Sequence, residues 1–132
     1  EAAFAEFLAG VRVLIATLPL TAETHGILDR KRLLRLPPGS YVVNVGRGGL
    51  VVERDLLALL DAEHLAGAML DVFDTEPLPP DHPYWRHPRI TVTPHVSATT
   101  LRHESLVQIA EKIRRFDRGE PVSGRVDRTR GY

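Results

Sequence analysis

Tyr41-Val42-Val43-Asn44-Val45-Gly46-Arg47-Gly48 is an apolar, β-branched run that ends in an arginine set between two glycines. Such a run reads as a buried strand over residues 41–45. Glycines past its end permit a tight turn and close approach of a ligand to the backbone. The same pattern recurs on both sides. Val11-Arg12-Val13-Leu14-Ile15-Ala16 reads as a buried strand upstream, and residues 66–72 and Ile90-Thr91-Val92-Thr93 as strands downstream. Helical patterns lie between them, so the chain reads as α/β with a parallel sheet of about four strands. In such a sheet the carboxyl ends of the strands share one edge, and ligand sites form there.

The connecting segments follow from local chemistry. Phe4, Phe7 and Leu8 share a helical face that Gly10 can end. Pro19 closes the first strand. Asp29 is placed to cap a helix over residues 30–36, stopped by Pro37-Pro38-Gly39. Leu56, Leu57, Leu59 and Leu60 give the next helix a broad apolar face. Residues 76–88 carry five prolines, which predicts a stiff surface loop with Trp85 as its buried anchor. A long helix is expected from Thr99 or Thr100 to Arg118, with Leu106, Ile109, Ala110, Ile113 and Phe116 as its inner stripe and Gly119 as its stop. Residues 120–132 form a polar tail.

With 132 residues the chain is one domain or part of one. Lys+Arg and Asp+Glu number 17 each, so no basic excess points to nucleic acid or an anionic membrane surface. The absence of cysteine excludes disulfides and thiolate metal sites, and fits a reducing compartment. No apolar run approaches the roughly 18–20 residues that span a bilayer, and no signal peptide opens the chain. A start at Glu1 without methionine points to a processed, truncated or partial chain.

Three residues carry candidate chemistry. Arg47 can clamp a carboxylate in bidentate fashion and polarise an adjacent carbonyl; a solvated arginine in a tight turn is the plainer reading. His95, of six histidines the one that directly ends a predicted strand, can give and recover a proton; a structural histidine bonded to backbone is the alternative. Glu76, held before Pro77, can fix an imidazole's tautomer and favour its charged form, or stand as a loop carboxylate in water. Asp71 ends the third strand, where it binds a cofactor amide or caps a turn. Arginine, carboxylate and imidazole from three strand ends suit reduction of a carbonyl next to a carboxylate. No G-x-G-x-x-G, P-loop or H-E-x-x-H is present, a lone Arg-Gly-Gly is no RNA tract, and His82, His87 and His95 are poorly spaced for a metal.

Taken together, these stretches resemble the D-isomer-specific 2-hydroxyacid dehydrogenase family. The carriers are Leu14-Ile15-Ala16-Thr17-Leu18-Pro19-Leu20-Thr21, Asn44-Val45-Gly46-Arg47-Gly48, Leu70-Asp71-Val72-Phe73 with Glu76-Pro77-Leu78, and Thr93-Pro94-His95, in that order. Residues 122–132, the Pro77-Leu78-Pro79-Pro80 loop, Trp85 and His87-Pro88 look most like the glyoxylate/hydroxypyruvate reductase A branch. The resemblance implies the second half of a Rossmann-type doubly wound sheet plus a long C-terminal helix. It divides the chain into residues 1–98 (cofactor-domain half), 99–119 (helix) and 120–132 (tail).

The resemblance also implies roles. Arg47 would bind the carboxylate of a 2-oxo acid, His95 would protonate the new alkoxide, and Glu76 would pair with His95. Thr17, Leu18, Pro19, Val45, Gly46, Arg47, Asp71, His95 and Ser97 would touch NAD or NADP. The implied activity is cytoplasmic reduction of glyoxylate or hydroxypyruvate to D-2-hydroxy acids, in a longer homodimeric parent chain. Two other readings stay open: a phosphoglycerate or formate dehydrogenase of the same family, and a catalytically idle assembly or binding fragment. Family members are more than twice as long, and their glycine-rich phosphate loop lies upstream of anything here. The chain alone is therefore expected to be inactive. It is also expected to self-associate, because the edge of strand 11–16 and the helix stripe lack partners.

Overall fold

The computed structural model describes residues 2–129, so Glu1 and the Arg130-Gly131-Tyr132 end of the tail motif lie outside the described residues. The chain divides into two compact units, Glu1–Ser97 and Ala98–Tyr132. The first unit opens with α1, Ala2–Ala9. Its sheet comprises β1 (Val13–Ala16), β2 (Ser40–Asn44), β3 (Leu65–Leu70) and β4 (Ile90–Val92), side by side in chain order. Every neighbouring pair is parallel, which makes this the expected α/β sheet. Ala16, Asn44, Leu70 and Val92 stand opposite one another in register, so the strands end together on one edge. Each strand begins or ends within a few residues of its sequence-based bounds.

Helices cover one face of this sheet. Leu14, Ala16, Val42, Ala68 and Leu70 are buried with Leu8, Leu33, Leu36, Leu56, Leu59 and Leu60 in a single core. Fully burying a leucine contributes about 1.5–3 kcal/mol, so this face dominates the unit's stability. α2 spans Arg30–Leu33, shorter than expected, because Leu36 already bonds back to Leu33 in a tighter turn ahead of Pro37. Asp29 caps it as expected, its Oδ1 accepting from the Arg32 amide at 2.8 Å. α3 spans Glu53–Asp61, with Glu53 and Asp55 at its positive end. Asp55 also accepts from the Arg30 amide at 2.9 Å and so ties the two helices together.

The opposite face differs from expectation. β1 was expected to be a buried strand, yet Val13 and Ile15 are 51% and 59% exposed. Tyr41 and Met69 on the same face are exposed as well. The helices of this unit pack against the side carrying Leu14, Val42 and Leu70, which leaves Val13, Ile15, Tyr41 and Met69 on the other side exposed.

The crossing from β3 to β4 contains no α-helix. It is the proline-rich segment, with a short 3-10 turn at Pro83–Trp85. Trp85 is not its buried anchor: it is 52% exposed, with its indole N–H on the Pro79 carbonyl at 2.8 Å. Tyr84 takes that place at 3% exposure, against Phe73 and edge-on to His82. His82 bonds Glu53 at 3.3 Å, His87 bonds Asp61 at 3.2 Å and the Arg89 guanidinium reaches the Leu60 carbonyl at 3.0 Å. These contacts fasten the loop along α3.

The second unit holds α4, Arg102–Asp117, which ends at Gly119 in the left-handed region. Its start is later than expected. No residue of α4 is buried, so the expected inner stripe of Leu106, Ile109, Ile113 and Phe116 is exposed and Ala110 half-buried. The tail brings Pro121 and Val122 to the same cleft as Ile109, Ile113 and Phe116, and this does not bury the stripe. Among the described residues no helix is long and apolar enough to cross a membrane.

Candidate active site

The aligned strand ends place four loops on one edge. The loop after β2 begins with Asn44, which is 1% exposed. Its amide donates to the Arg47 carbonyl at 2.9 Å, and its Oδ1 accepts from the Gly46 amide at 3.2 Å. Gly46 lies so close to the loop after β1 that a Cβ there would stand 2.9 Å from the Leu18 carbonyl oxygen. Thr17-Leu18 and Val45-Gly46 are therefore adjacent. Arg47 points outward, and its Nη1 donates to the Gly46 carbonyl at 2.7 Å.

Past β3, the backbone at Phe73–Asp74 presses on Gly48. Glu76 Oε2 meets His95 Nδ1 at 2.8 Å, while its Oε1 accepts from the Phe73 amide at 2.9 Å. The His95 hydrogen bond, the Phe73 amide and the nearby Arg47 charge hold the Glu76 carboxyl below the usual range. Glu76 is thus ionised near neutral pH. A carboxylate only accepts, so Nδ1 carries the proton and Nε2 is left to face outward.

His95 has φ 54°, a left-handed conformation uncommon outside glycine. Asp71 holds the turn in it. This carboxylate is fully buried, and its Oδ1 accepts from Thr93 Oγ1 at 2.6 Å and the Val96 amide at 2.9 Å. Its Oδ2 accepts from the Ser97 amide at 3.0 Å and Ser97 Oγ at 2.6 Å. Burial pushes the carboxyl upward, but these hydrogen bonds outweigh it and hold Asp71 well below the usual carboxylate range. With two donors on each oxygen, Asp71 spends its acceptor capacity on the turn that carries His95.

A stability prediction follows from that depressed pKa. The ionised carboxylate stabilises the fold above the unfolded-state pKa of about 4, and the contribution fades as pH falls below it toward the folded value. Asp71→Asn leaves at least one buried backbone donor unpaired, and is expected to cost about 1–3 kcal/mol near neutral pH. Urea melts should show that gap narrowing below pH ~4. A gap that is constant with pH would contradict the assignment.

Beside the Glu76–His95 pair lies an open cavity of about 390 Å³, lined by Phe73, Pro77, Leu78, Trp85, Val92 and Pro94. An apolar cleft with a few convergent polar groups is the usual form of a small-molecule site. Among the described residues no three His, Cys, Asp or Glu side chains cluster to hold a metal. Sequence reading named Arg47, Glu76 and His95 as candidates but gave no role to Asn44 or Thr93. The only signal for Asn44 was a polar residue closing an apolar strand just before glycine.

Comparison with known proteins identifies the family and the fold that carries these loops. The family described as D-isomer specific 2-hydroxyacid dehydrogenase, NAD binding domain, matches residues 1–97. A glyoxylate/hydroxypyruvate reductase A from Klebsiella pneumoniae (strain 342) is 58% identical over 132 residues, covering 100% of this chain and 42% of that protein. The chain thus spans less than half the length of the curated relatives it matches. A D-isomer specific 2-hydroxyacid dehydrogenase from Xanthobacter autotrophicus Py2, solved with NADPH and MES, superposes with a TM-score of 0.95 at 44% identity, over 99% of this chain and 54% of that one. An NADPH-dependent glyoxylate/hydroxypyruvate reductase from Sinorhizobium meliloti, solved with NADP and sulfate, gives 0.94 at 38% identity, over 99% and 43%.

Proposed function

The chain belongs to the D-isomer specific 2-hydroxyacid dehydrogenase family, and from that premise we propose that it carries the carboxylate clamp and proton donor of a 2-oxo-acid reductase. The observation that supports this most is the 2.8 Å Glu76–His95 pair on the same sheet edge as Arg47. Glyoxylate and hydroxypyruvate are the proposed substrates, after the names of the relatives above.

Each side chain has one task in this reading. The Arg47 guanidinium grips the substrate carboxylate and draws charge toward the neighbouring carbonyl oxygen. His95, held by Glu76 through Nδ1, delivers a proton from Nε2 to that oxygen as it becomes an alkoxide. NADPH or NADH, when bound, supplies the hydride to the carbonyl carbon. The loops of Thr17-Leu18-Pro19 and Val45-Gly46-Arg47 and the His95–Ser97 turn, with Asp71 beneath it, line the edge that fits the nicotinamide end. The close backbone contact at Gly46 supports that fit. The product is a D-2-hydroxy acid.

We assign residues 1–98 to the cofactor domain, 99–119 to the C-terminal helix and 120–132 to the tail. The protein is proposed to work in the cytoplasm as a homodimer, and the isolated chain to self-associate through its exposed Val13, Ile15, Tyr41 and Met69 face. The test of function is Arg47→Ala in the full-length protein. Its kcat/KM for glyoxylate should fall about 10²-fold, through both KM and kcat. Unchanged kinetics on both 2-oxo acids would overturn the reading.

A further inference from the structure

We infer that Asn44 is the positioning residue for the Arg47 guanidinium. The inference rests on the reading of Arg47 as the carboxylate clamp. Asn44 takes no part in the proposed chemistry, yet it is among the most deeply buried polar side chains of the described residues, at 1% exposure. A buried amide is retained only where its donors and acceptors are satisfied. Asn44 satisfies them on the loop that carries Arg47. It accepts from the Gly46 amide on one side of Arg47 and donates to the Arg47 carbonyl on the other. The backbone that sets the direction of the Arg47 side chain is gripped at both ends by one amide.

The anchor itself is fixed. Asn44 is the last residue of β2, in register with Ala16 and Leu70. Its carbonyl accepts from the Asp71 amide at 3.0 Å, and the next amide, of Val45, donates to the Ala16 carbonyl at 3.1 Å. Through Asp71 the same backbone bond leads to the turn that holds His95. The clamp and the proton donor are thus referred to one pair of adjacent strand ends. An aspartate in place of Asn44 keeps the acceptor for Gly46 but turns a second acceptor toward the Arg47 carbonyl. An alanine reaches neither partner.

Because reacting groups tolerate little misplacement, loss of this grip should appear in catalysis. The experiment is a double-mutant cycle in the full-length protein: wild type, Asn44→Ala, Arg47→Ala and the pair, each checked for a cooperative melt and assayed with glyoxylate. Asn44→Ala should lower kcat/KM roughly tenfold, with the same division between KM and kcat as Arg47→Ala. It should add nothing once Arg47 is gone, the mark of a residue that acts through another. Additive losses, or unchanged kinetics in Asn44→Ala, would overturn the inference while leaving the clamp intact. An inert Arg47→Ala would instead remove the clamp reading itself. Asn44→Asp gives the answer should the alanine variant fold poorly. Its kcat/KM relative to wild type should rise as pH falls, because the protonated carboxyl regains a donor for the Arg47 carbonyl. A ratio flat in pH would count against the role.

Discussion

Replacing His95 with alanine is expected to lower glyoxylate turnover about 10²–10⁴-fold in the full-length protein, with a much smaller change in KM. The split follows from where charge develops. The ground-state carbonyl needs no proton, so His95 contributes little to binding. The alkoxide formed by hydride addition does need one, and no other described residue on that edge is a comparable donor held in place. Glu76 stays ionised and accepts from Nδ1, so it cannot serve as the acid itself. Glu76→Gln should therefore retain more turnover than His95→Ala, losing the fixed tautomer and not the donor. The check is kcat measured with protium and deuterium at the transferred position of the cofactor. A clear isotope effect shows that hydride transfer limits the rate, and unchanged kcat in His95→Ala under that condition would remove His95 from the mechanism.

The sheet and its reactive edge were legible in the sequence because they rest on local signals. β-branched runs, a glycine-flanked arginine and a histidine at a strand end each speak for themselves, and parallel pairing then gathers them. Contacts that depend on loop phase were not legible. Trp85 is the larger aromatic, but the 3-10 turn begun at Pro83 aims Tyr84 inward, and a change of one residue in that turn decides which ring is buried. The Glu76–His95 pairing was implied by the family resemblance and by no local signal, because its distance depends on the path of the whole segment between β3 and β4, which α3 fastens through His82, His87 and Arg89. The ties of Asn44 and Thr93 are tertiary hydrogen bonds with no periodicity to announce them. The stripe of α4 shows the converse: its helical spacing was readable, but spacing alone names no partner.

Gly48→Ala should damage both the fold and the site. Gly48 is not in the left-handed region, so alanine meets no torsional objection there. The objection is contact. A Cβ at this position would stand 1.9 Å from the Phe73 carbonyl carbon, 2.1 Å from its oxygen and 2.3 Å from the Asp74 nitrogen. All three are backbone atoms, and they have little freedom to yield. The Phe73 amide is bonded to Glu76, the Phe73 ring packs against Tyr84, and Asp71 just before it carries the four hydrogen bonds to Thr93, Val96 and Ser97. The methyl must therefore push the Arg47 loop away from Glu76 and His95, or lift the turn that orients both. Overpacking of this kind costs about 1–3 kcal/mol and sometimes more. A displacement near 1 Å in a reacting group costs on the order of 10²-fold in rate. Urea melts and kcat/KM should thus fall together, with activity lost even in the fraction that remains folded. Gly10→Ala is the control, since a Cβ there meets only the Phe7 carbonyl oxygen at 3.8 Å, and it should fold and turn over as the wild type does. Wild-type stability and turnover in Gly48→Ala would mean that the Arg47 loop and the Glu76 turn are not held in contact, and with that the mechanical link between clamp and proton donor would be lost.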